Sequence, residues 1–135
     1  MYEFKYSKVA SLDEAKKQHS DAEDPSYMSG GMTLLPTLKL RLAKPSDVID
    51  LSGVPDMAGI SVDGKSVTVK AMTPHAAVAA SADVQKAIPA LAKLAGGIGD
   101  PMVRNRGTIG GSLANNDPAA DYPAAVVGLG ATIHT

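Results

Sequence analysis

Two short glycine-containing segments carry the residues that point to chemistry: Ser29-Gly30-Gly31-Met32-Thr33 and Thr108-Ile109-Gly110-Gly111-Ser112. Paired glycines let the backbone enter positive φ and let a ligand come close to the main chain. Consecutive N–H groups in such turns form a concave nest for anions. The first segment leads into Leu34-Leu35-Pro36-Thr37-Leu38-Lys39-Leu40, a predicted helix that tolerates Pro36 in its first turn and whose dipole favours negative charge at its start. Two such loops facing each other would grip a pyrophosphate without any lysine. A lone Gly-Gly is also an ordinary tight turn. Neither segment ends in the Gly-Lys-Ser/Thr of a P-loop, and neither matches the G-x-G-x-x-G dinucleotide pattern.

The elements around these segments follow from periodicity and turn chemistry. Tyr2 to Tyr6 alternates as a short edge strand, and Ser11-Leu12-Asp13-Glu14 caps a helix running to about Gln18. A polar turn from Asp21 to Pro25 precedes a strand around Tyr27-Met28, and Val48-Ile49-Asp50-Leu51 reads as the next strand. The first glycine segment thus sits at the first turn of a small β-α-β unit, and Gly53 to Asp56 marks a lobe boundary. Ile60-Ser61-Val62 and Val67-Thr68-Val69 alternate around Asp63-Gly64, a hairpin signal. A helix runs from Thr73-Pro74 to Ala80, and another begins near Pro89 with Ile88, Leu91, Ala92, Leu94 and Ala95 on one face. From Asp100 to Tyr122 apolar periodicity is lost, and a stretch that long without regular structure is functional or disordered. Pro123 to Leu129 is expected to be a short helix and Ala131-Thr132-Ile133 the start of a strand.

Composition narrows the function classes. One Phe, no Trp and four Tyr leave the core aliphatic and offer few platforms for stacking nucleic-acid bases. A net charge of −1 argues against a general phosphate-backbone binder. With no cysteine, disulfides, thiolate metal sites and iron–sulfur ligation are excluded within the chain. No apolar run reaches membrane-spanning length and residues 1–20 are too charged for a signal peptide, so a cytoplasmic protein is expected.

Longer stretches around the glycines resemble a known family. Ser29 to Pro36, Leu40-Arg41-Leu42-Ala43-Lys44-Pro45 and Val48 to Leu51 resemble the first flavin-binding segment of molybdenum-hydroxylase medium subunits, those of carbon monoxide dehydrogenase and xanthine-dehydrogenase-like enzymes. Ile98-Gly99-Asp100-Pro101, the run Val103-Arg104-Asn105-Arg106-Gly107-Thr108-Ile109-Gly110-Gly111-Ser112-Leu113-Ala114-Asn115, then Asp117-Pro118 and Asp121-Tyr122-Pro123 are similar to the second. The resemblance implies an α+β, two-lobed, PCMH-type FAD-binding domain with FAD between its lobes. Residues 1–53 form a small β-α-β lobe, and residues 54–135 an incomplete second lobe. It implies FAD contacts at Ser29, Gly30, Gly31, Met32, Thr33 and Leu34, at Thr108, Ile109, Gly110, Gly111 and Ser112, and at Asp121 near the flavin. No catalytic residue or metal ligand is implied in this chain. In the family, FAD passes electrons from iron–sulfur clusters of a small partner subunit to an external acceptor, and substrate is oxidised at the molybdenum cofactor of a large partner subunit. Ser29 stands where alanine is common, Met32 where polar residues often stand, and Ser112 where asparagine also occurs. Family subunits continue further, so the chain is expected to be truncated before the isoalloxazine pocket is whole.

Two other function classes compete. One is a non-catalytic interaction module that keeps the fold without flavin. The other is a serine hydrolase: Gly110-Gly111-Ser112-Leu113-Ala114 is one residue from a nucleophile elbow, with Asp117 or Asp121 and His134 in the order Ser, Asp, His. The elbow requires a strand before the serine, and residues 104–108 are polar. Asp100 and Asp117 read as caps or Asx-turns rather than cation ligands. Arg104 and Arg106 face either phosphate or solvent and a partner; Lys39, Arg41 and Lys44 read as a solvated helix face, and His19 and His75 as surface or cap residues.

Overall fold

Ser11 starts the first helix. Its hydroxyl accepts the Glu14 N–H at 3.1 Å, and the Glu14 carboxylate takes the Ala10 N–H at 2.8 Å, so donors on both sides of the helix start are satisfied. In the computed structural model, which describes all residues from Met1 to Thr135, this helix runs to Asp21. The chain divides into two compact units, Met1–Met57 and Ala58–Thr135.

The first unit is a parallel β-α-β-α-β arrangement. Strand β1 (Lys5–Lys8), helix α1 (Leu12–Asp21), strand β2 (Pro25–Met28), helix α2 (Leu34–Lys39) and strand β3 (Asp47–Asp50) follow in order. Both outer strands pair in parallel with β3, giving the order β1-β3-β2. The central strand is therefore the buried one: Val48 and Ile49 are fully buried, and Ile49 packs with Val9 and Ala15. The 3-10 turn Leu51–Gly53 follows. Leu51 and Val54 pack on the same cluster, which keeps the segment beyond Gly53 with the first unit. The edge strand expected at Tyr2–Tyr6 lies at Lys5–Lys8, because register with β3 and not local alternation sets its ends.

Asp50 ends β3 as a buried carboxylate. Burial pushes its carboxyl up. Hydrogen bonds from the Tyr6 hydroxyl (2.6 Å) and from Ser52 (backbone N–H at 2.8 Å), with the Lys8 charge, outweigh that and hold it below the usual carboxylate value.

The second unit opens with the hairpin β4 (Ile60–Val62) and β5 (Val67–Val69), antiparallel as its turn predicts. Asp63 organises that turn by accepting the Lys65 and Ser66 N–H groups at 3.0 and 2.8 Å. Six short helices follow: α3 (His75–Ala80), α4 (Ala82–Ala87), α5 (Pro89–Gly97), α6 (Pro101–Arg106), α7 (Ile109–Asn115) and α8 (Asp121–Gly128). Their core gathers Val78, Val84, Leu91, Ala92, Ala95, Ile109 and Tyr122.

Three expectations are corrected here. Residues 100–122 are not irregular: Asp100 caps α6 through the Val103 N–H at 2.9 Å, and Thr108 caps α7 through the Gly111 N–H at 3.0 Å. Side-chain caps make these short helices, which are too brief to display a period. No strand forms at Ala131–Ile133, which lies exposed. His75 is not a surface residue but is buried at the start of α3, its ring centroid 5.2 Å from that of the fully buried Tyr122.

Neither His75 Nδ1 nor the Tyr122 hydroxyl has a hydrogen-bond partner. Burial pushes the imidazole below its ordinary value and the phenol well above its own. Helices α4, α5 and α6 pack against α3. Their charged residues Asp83, Lys86, Lys93 and Arg106 are exposed, as is Asp121 of α8, and the half-buried Arg104 is bonded to carbonyls at the end of α5. Burial alone thus accounts for the direction of the His75 shift.

Gly53 and Gly97 make opposite predictions. A Cβ at Gly53 would lie 2.3 Å from the Val9 carbonyl oxygen, whereas at Gly97 it meets nothing within 4 Å. Gly53→Ala is expected to destabilise the chain by about 1–3 kcal/mol and Gly97→Ala to stabilise it by about 0.5–1 kcal/mol, read from urea unfolding. For His75, the unfolded chain takes up a proton near pH 6.5 while the folded core resists it. The unfolded state then binds more protons as pH falls below that value, so stability drops there and is unaffected above it. Melting midpoints from pH 8 to 5 should show less acid loss in His75→Gln than in the unmodified chain; parallel curves would remove this role for His75.

Candidate functional site

The first glycine segment leaves the end of β2 and enters α2 with a turn that Gly31 makes possible. Gly31 has φ +74°, and a Cβ there would lie 3.0 Å from Leu35 Cδ1 and 3.4 Å from Met28 Sδ. Its carbonyl accepts the Leu35 N–H at 2.9 Å, and the Thr33 carbonyl accepts the Thr37 N–H at 3.2 Å and hydroxyl at 2.9 Å. Those bonds use carbonyls. The N–H groups of Gly30, Gly31, Met32, Thr33 and Leu34 donate to no acceptor in the chain, and Thr33 makes no side-chain cap. Except at Thr33 these positions are half-buried. Unpaired N–H groups at half-buried positions are costly unless something accepts from them. An anion with several oxygens suits this row of donors, so the segment fits the pyrophosphate of a dinucleotide.

The second glycine segment is built differently. It is the first turn of α7, not an open loop. The Ile109 N–H donates to the Thr73 carbonyl at 3.2 Å, Gly110 to Ala71 at 2.9 Å, Gly111 to the Thr108 hydroxyl at 3.0 Å and Ser112 to the Thr108 carbonyl at 3.0 Å. Every backbone donor from Ile109 to Ser112 is committed within the chain. Gly110 serves a close approach instead: a Cβ there would sit 2.6 Å from the Ala71 Cβ and 2.7 Å from its carbonyl oxygen. Whatever this segment offers a ligand comes from side chains such as Ser112, which is half-buried.

Asp121 is exposed in the first turn of α8. Arg104 is half-buried, and its Nη1 donates to the Ile98 and Gly99 carbonyls at 3.3 and 2.9 Å at the C-terminal end of α5. Ser112 lies inside a helix preceded by another helix, not on a strand-to-helix elbow, and His134 is exposed in the tail, so a hydrolase triad has no scaffold here. No three His, Asp or Glu side chains gather where they would hold a metal ion. An open cavity of about 370 Å³ lined by Lys5, Gln18, Asp21, Ala22, Glu23, Ser46 and Asp47 lies at the starts of β1 and β3, the opposite end of the sheet from the first glycine segment. No helix is long and apolar enough to cross a membrane.

Sequence reading found both glycine segments from their composition. It missed His75 and Gly107, because the relation between them is made by pairing across 32 positions.

Comparisons with known proteins agree on one family. Residues 2–135 match the FAD binding domain in molybdopterin dehydrogenase. The chain is 39% identical over 125 residues to the nicotine 6-hydroxylase medium subunit of Paenarthrobacter nicotinovorans, covering 93% of this chain and 44% of that one. It is 45% identical over 101 residues to the carbon monoxide dehydrogenase medium chain of Hydrogenophaga pseudoflava, covering 75% and 35%. Among solved structures, carbon monoxide dehydrogenase from Hydrogenophaga pseudoflava superposes with a TM-score of 0.89 at 40% identity, covering 93% of this chain and 44% of that chain. Quinoline 2-oxidoreductase from Pseudomonas putida 86 gives 0.85 at 38%, covering 90% and 43%. The chain therefore spans less than half the length of these relatives. With its mixed α+β units, its β-α-β start and a match over nearly its whole length, the chain belongs to the PCMH-type FAD-binding domains of the molybdenum-hydroxylase medium subunits.

Proposed function

We propose that this chain binds FAD and serves as the flavin-carrying, electron-transfer part of a molybdenum hydroxylase. The observation that carries the reading is the row of unpaired N–H groups from Gly30 to Leu34 beside the positive-φ Gly31. In this reading Ser29, Gly30, Gly31, Met32, Thr33 and Leu34 hold the pyrophosphate, chiefly with backbone donors. Thr108, Ile109, Gly110, Gly111 and Ser112 present a second contact surface in which side-chain hydroxyls replace the committed backbone donors. Asp121 orients the cofactor near the flavin by accepting a hydrogen bond.

FAD supplies reversible electron uptake, and the chain binds and orients it. Electrons would arrive from iron–sulfur clusters on a small partner subunit and leave to an external acceptor, with substrate oxidised at the molybdenum cofactor of a large partner. Support for that wider scheme is the likeness to medium subunits such as those of carbon monoxide dehydrogenase and nicotine 6-hydroxylase. A cytoplasmic address and the assignment of residues 1–53 and 54–135 as two FAD-binding lobes belong to the same proposal.

A thermal melt with FAD, FMN or ADP tests the reading. At about 100 times the dissociation constant, FAD should add about 2.7 kcal/mol and raise the midpoint by on the order of ten degrees. ADP should reproduce much of that shift and FMN little of it, because the expected grip is on the pyrophosphate. Gly31→Ala, which forces alanine to φ +74°, should weaken FAD by at least about tenfold, or about 1.4 kcal/mol. A cooperative melt unmoved by FAD, or an unchanged affinity in the folded variant, would defeat the proposal.

A further inference from the structure

His75 and Tyr122 are the two buried side chains with polar atoms that no partner satisfies. Both adjoin the residues assigned above to FAD, His75 through Gly107 ahead of Thr108 and Tyr122 as the residue after Asp121, and this inference rests on that assignment. The His75 N–H donates to the Gly107 carbonyl at 2.9 Å, and Pro74 and Thr108 form an antiparallel bridge. With Ile109 bonded to Thr73 and Gly110 to Ala71, residues 71–75 form a rail along which the second glycine segment is laid down. The imidazole lies against the bare face of Gly107, where a Cβ would sit 2.6 Å from Nε2 and 2.9 Å from Cδ2. The other partner of the ring is Tyr122, which immediately follows Asp121 in α8, its ring tilted 41° to the imidazole.

We propose that the His75–Tyr122 ring pair is a positioning element that holds the entry to Thr108–Ser112 and the start of α8 with Asp121 in a single arrangement. Two short helices, each anchored by few buried residues, would otherwise be free to shift against each other. The ring reaches both: one edge is closed by Gly107 and the other side by Tyr122. Hydrogen bonding does not fix it, since Nδ1 is unpartnered; shape does. A core optimised for stability alone would carry an aliphatic side chain there, because burying an unpartnered polar atom is unfavourable. His75 and Tyr122 act through the segments they hold and need not touch the cofactor.

A double-mutant cycle on the 135-residue chain separates this role from general core packing. Gly107 has φ −62°, which alanine adopts without strain, so the conflict created by Gly107→Ala is with the ring and the Val103 carbonyl oxygen at 3.1 Å. Amide exchange without FAD is the first readout. His75→Ala should raise exchange at Ile109–Ser112 at least about tenfold relative to the β1 and β3 amides. Gly107→Ala should do the same in the unmodified chain and add little when His75 is already alanine, as coupled neighbours do. Tyr122→Phe, which keeps the ring and removes the unpartnered hydroxyl, should leave exchange unchanged.

FAD affinity, read by flavin fluorescence, should fall at least about tenfold in His75→Ala and Gly107→Ala and hold in Tyr122→Phe. Exchange rising equally in the β4–β5 hairpin, or strictly additive effects of the two alanines, would overturn the proposal. If His75→Ala does not fold, Gly107→Ala alone decides by the same exchange pattern. Failure of the unmodified chain to bind FAD would remove the cofactor reading and leave the exchange result to judge the positioning role by itself.

Discussion

A backbone N–H that leaves water must find an acceptor, and the two glycine segments answer that constraint in opposite ways. From Gly30 to Leu34 the donors stay open while the carbonyls of Gly31 and Thr33 are used to start α2. From Ile109 to Ser112 every donor is spent on the chain itself, on Thr73, Ala71 and Thr108. The same dipeptide, Gly-Gly, therefore does different physical work in each place. In the first it gives the φ of +74° that turns the backbone; in the second Gly110 lets a helix start pass against Ala71 with no room for a side chain. Glycine composition marks a place where the main chain comes close to something, and only the donor accounting tells whether that something is a ligand or the chain.

How far the fold could be read from sequence depended on whether local signals set each element. The β-α-β start and the hairpin were legible because a capping serine at Ser11, an Asp63-Gly64 turn and alternating apolar residues act over a few positions. The face of Ile88, Leu91, Ala92, Leu94 and Ala95 was legible for the same reason, since α5 spans nine residues and shows its period. Helices α4, α6 and α7 run six, six and seven residues. At that length a helix shows fewer than two turns, and its existence depends on a cap such as Ser81, Asp100 or Thr108 and on packing against the rest of the unit. The strand expected at Ala131–Ile133 carried only local β-propensity, and without a neighbour to pair with, that propensity has nothing to act on.

At the site, residue types were legible and their state was not. Gly30, Gly31, Gly110 and Gly111 were identified from composition; open N–H groups were expected at both places, and only those of Gly30–Leu34 lack an acceptor within the chain. The bonds that close the second segment come from residues 71–73, more than 35 positions earlier, a separation at which no sequence pattern speaks. His75 was read as a surface or cap residue, since it has no plausible ligand at metal-binding spacing. Its burial comes from Gly107, whose missing side chain makes room for the ring, and from Tyr122, which covers it. Neither partner is visible from the local context of residue 75.

Open donors and committed donors also differ in what they require of the rest of the protein. An anion on Gly30–Leu34 would supply the acceptors that segment lacks, so binding there replaces water with fixed charge and needs only that the turn already have its shape, which Gly31 ensures. Thr108–Ser112 has no such deficit to relieve. What it would offer a ligand is the placement of its hydroxyls, which depends on the rail of residues 71–75. The first segment therefore offers donors from its own backbone, whereas the second offers side-chain hydroxyls whose placement depends on residues 71–75. The polar atoms left unpartnered in this chain's core, His75 Nδ1 and the Tyr122 hydroxyl, belong to the same compact unit as that second segment.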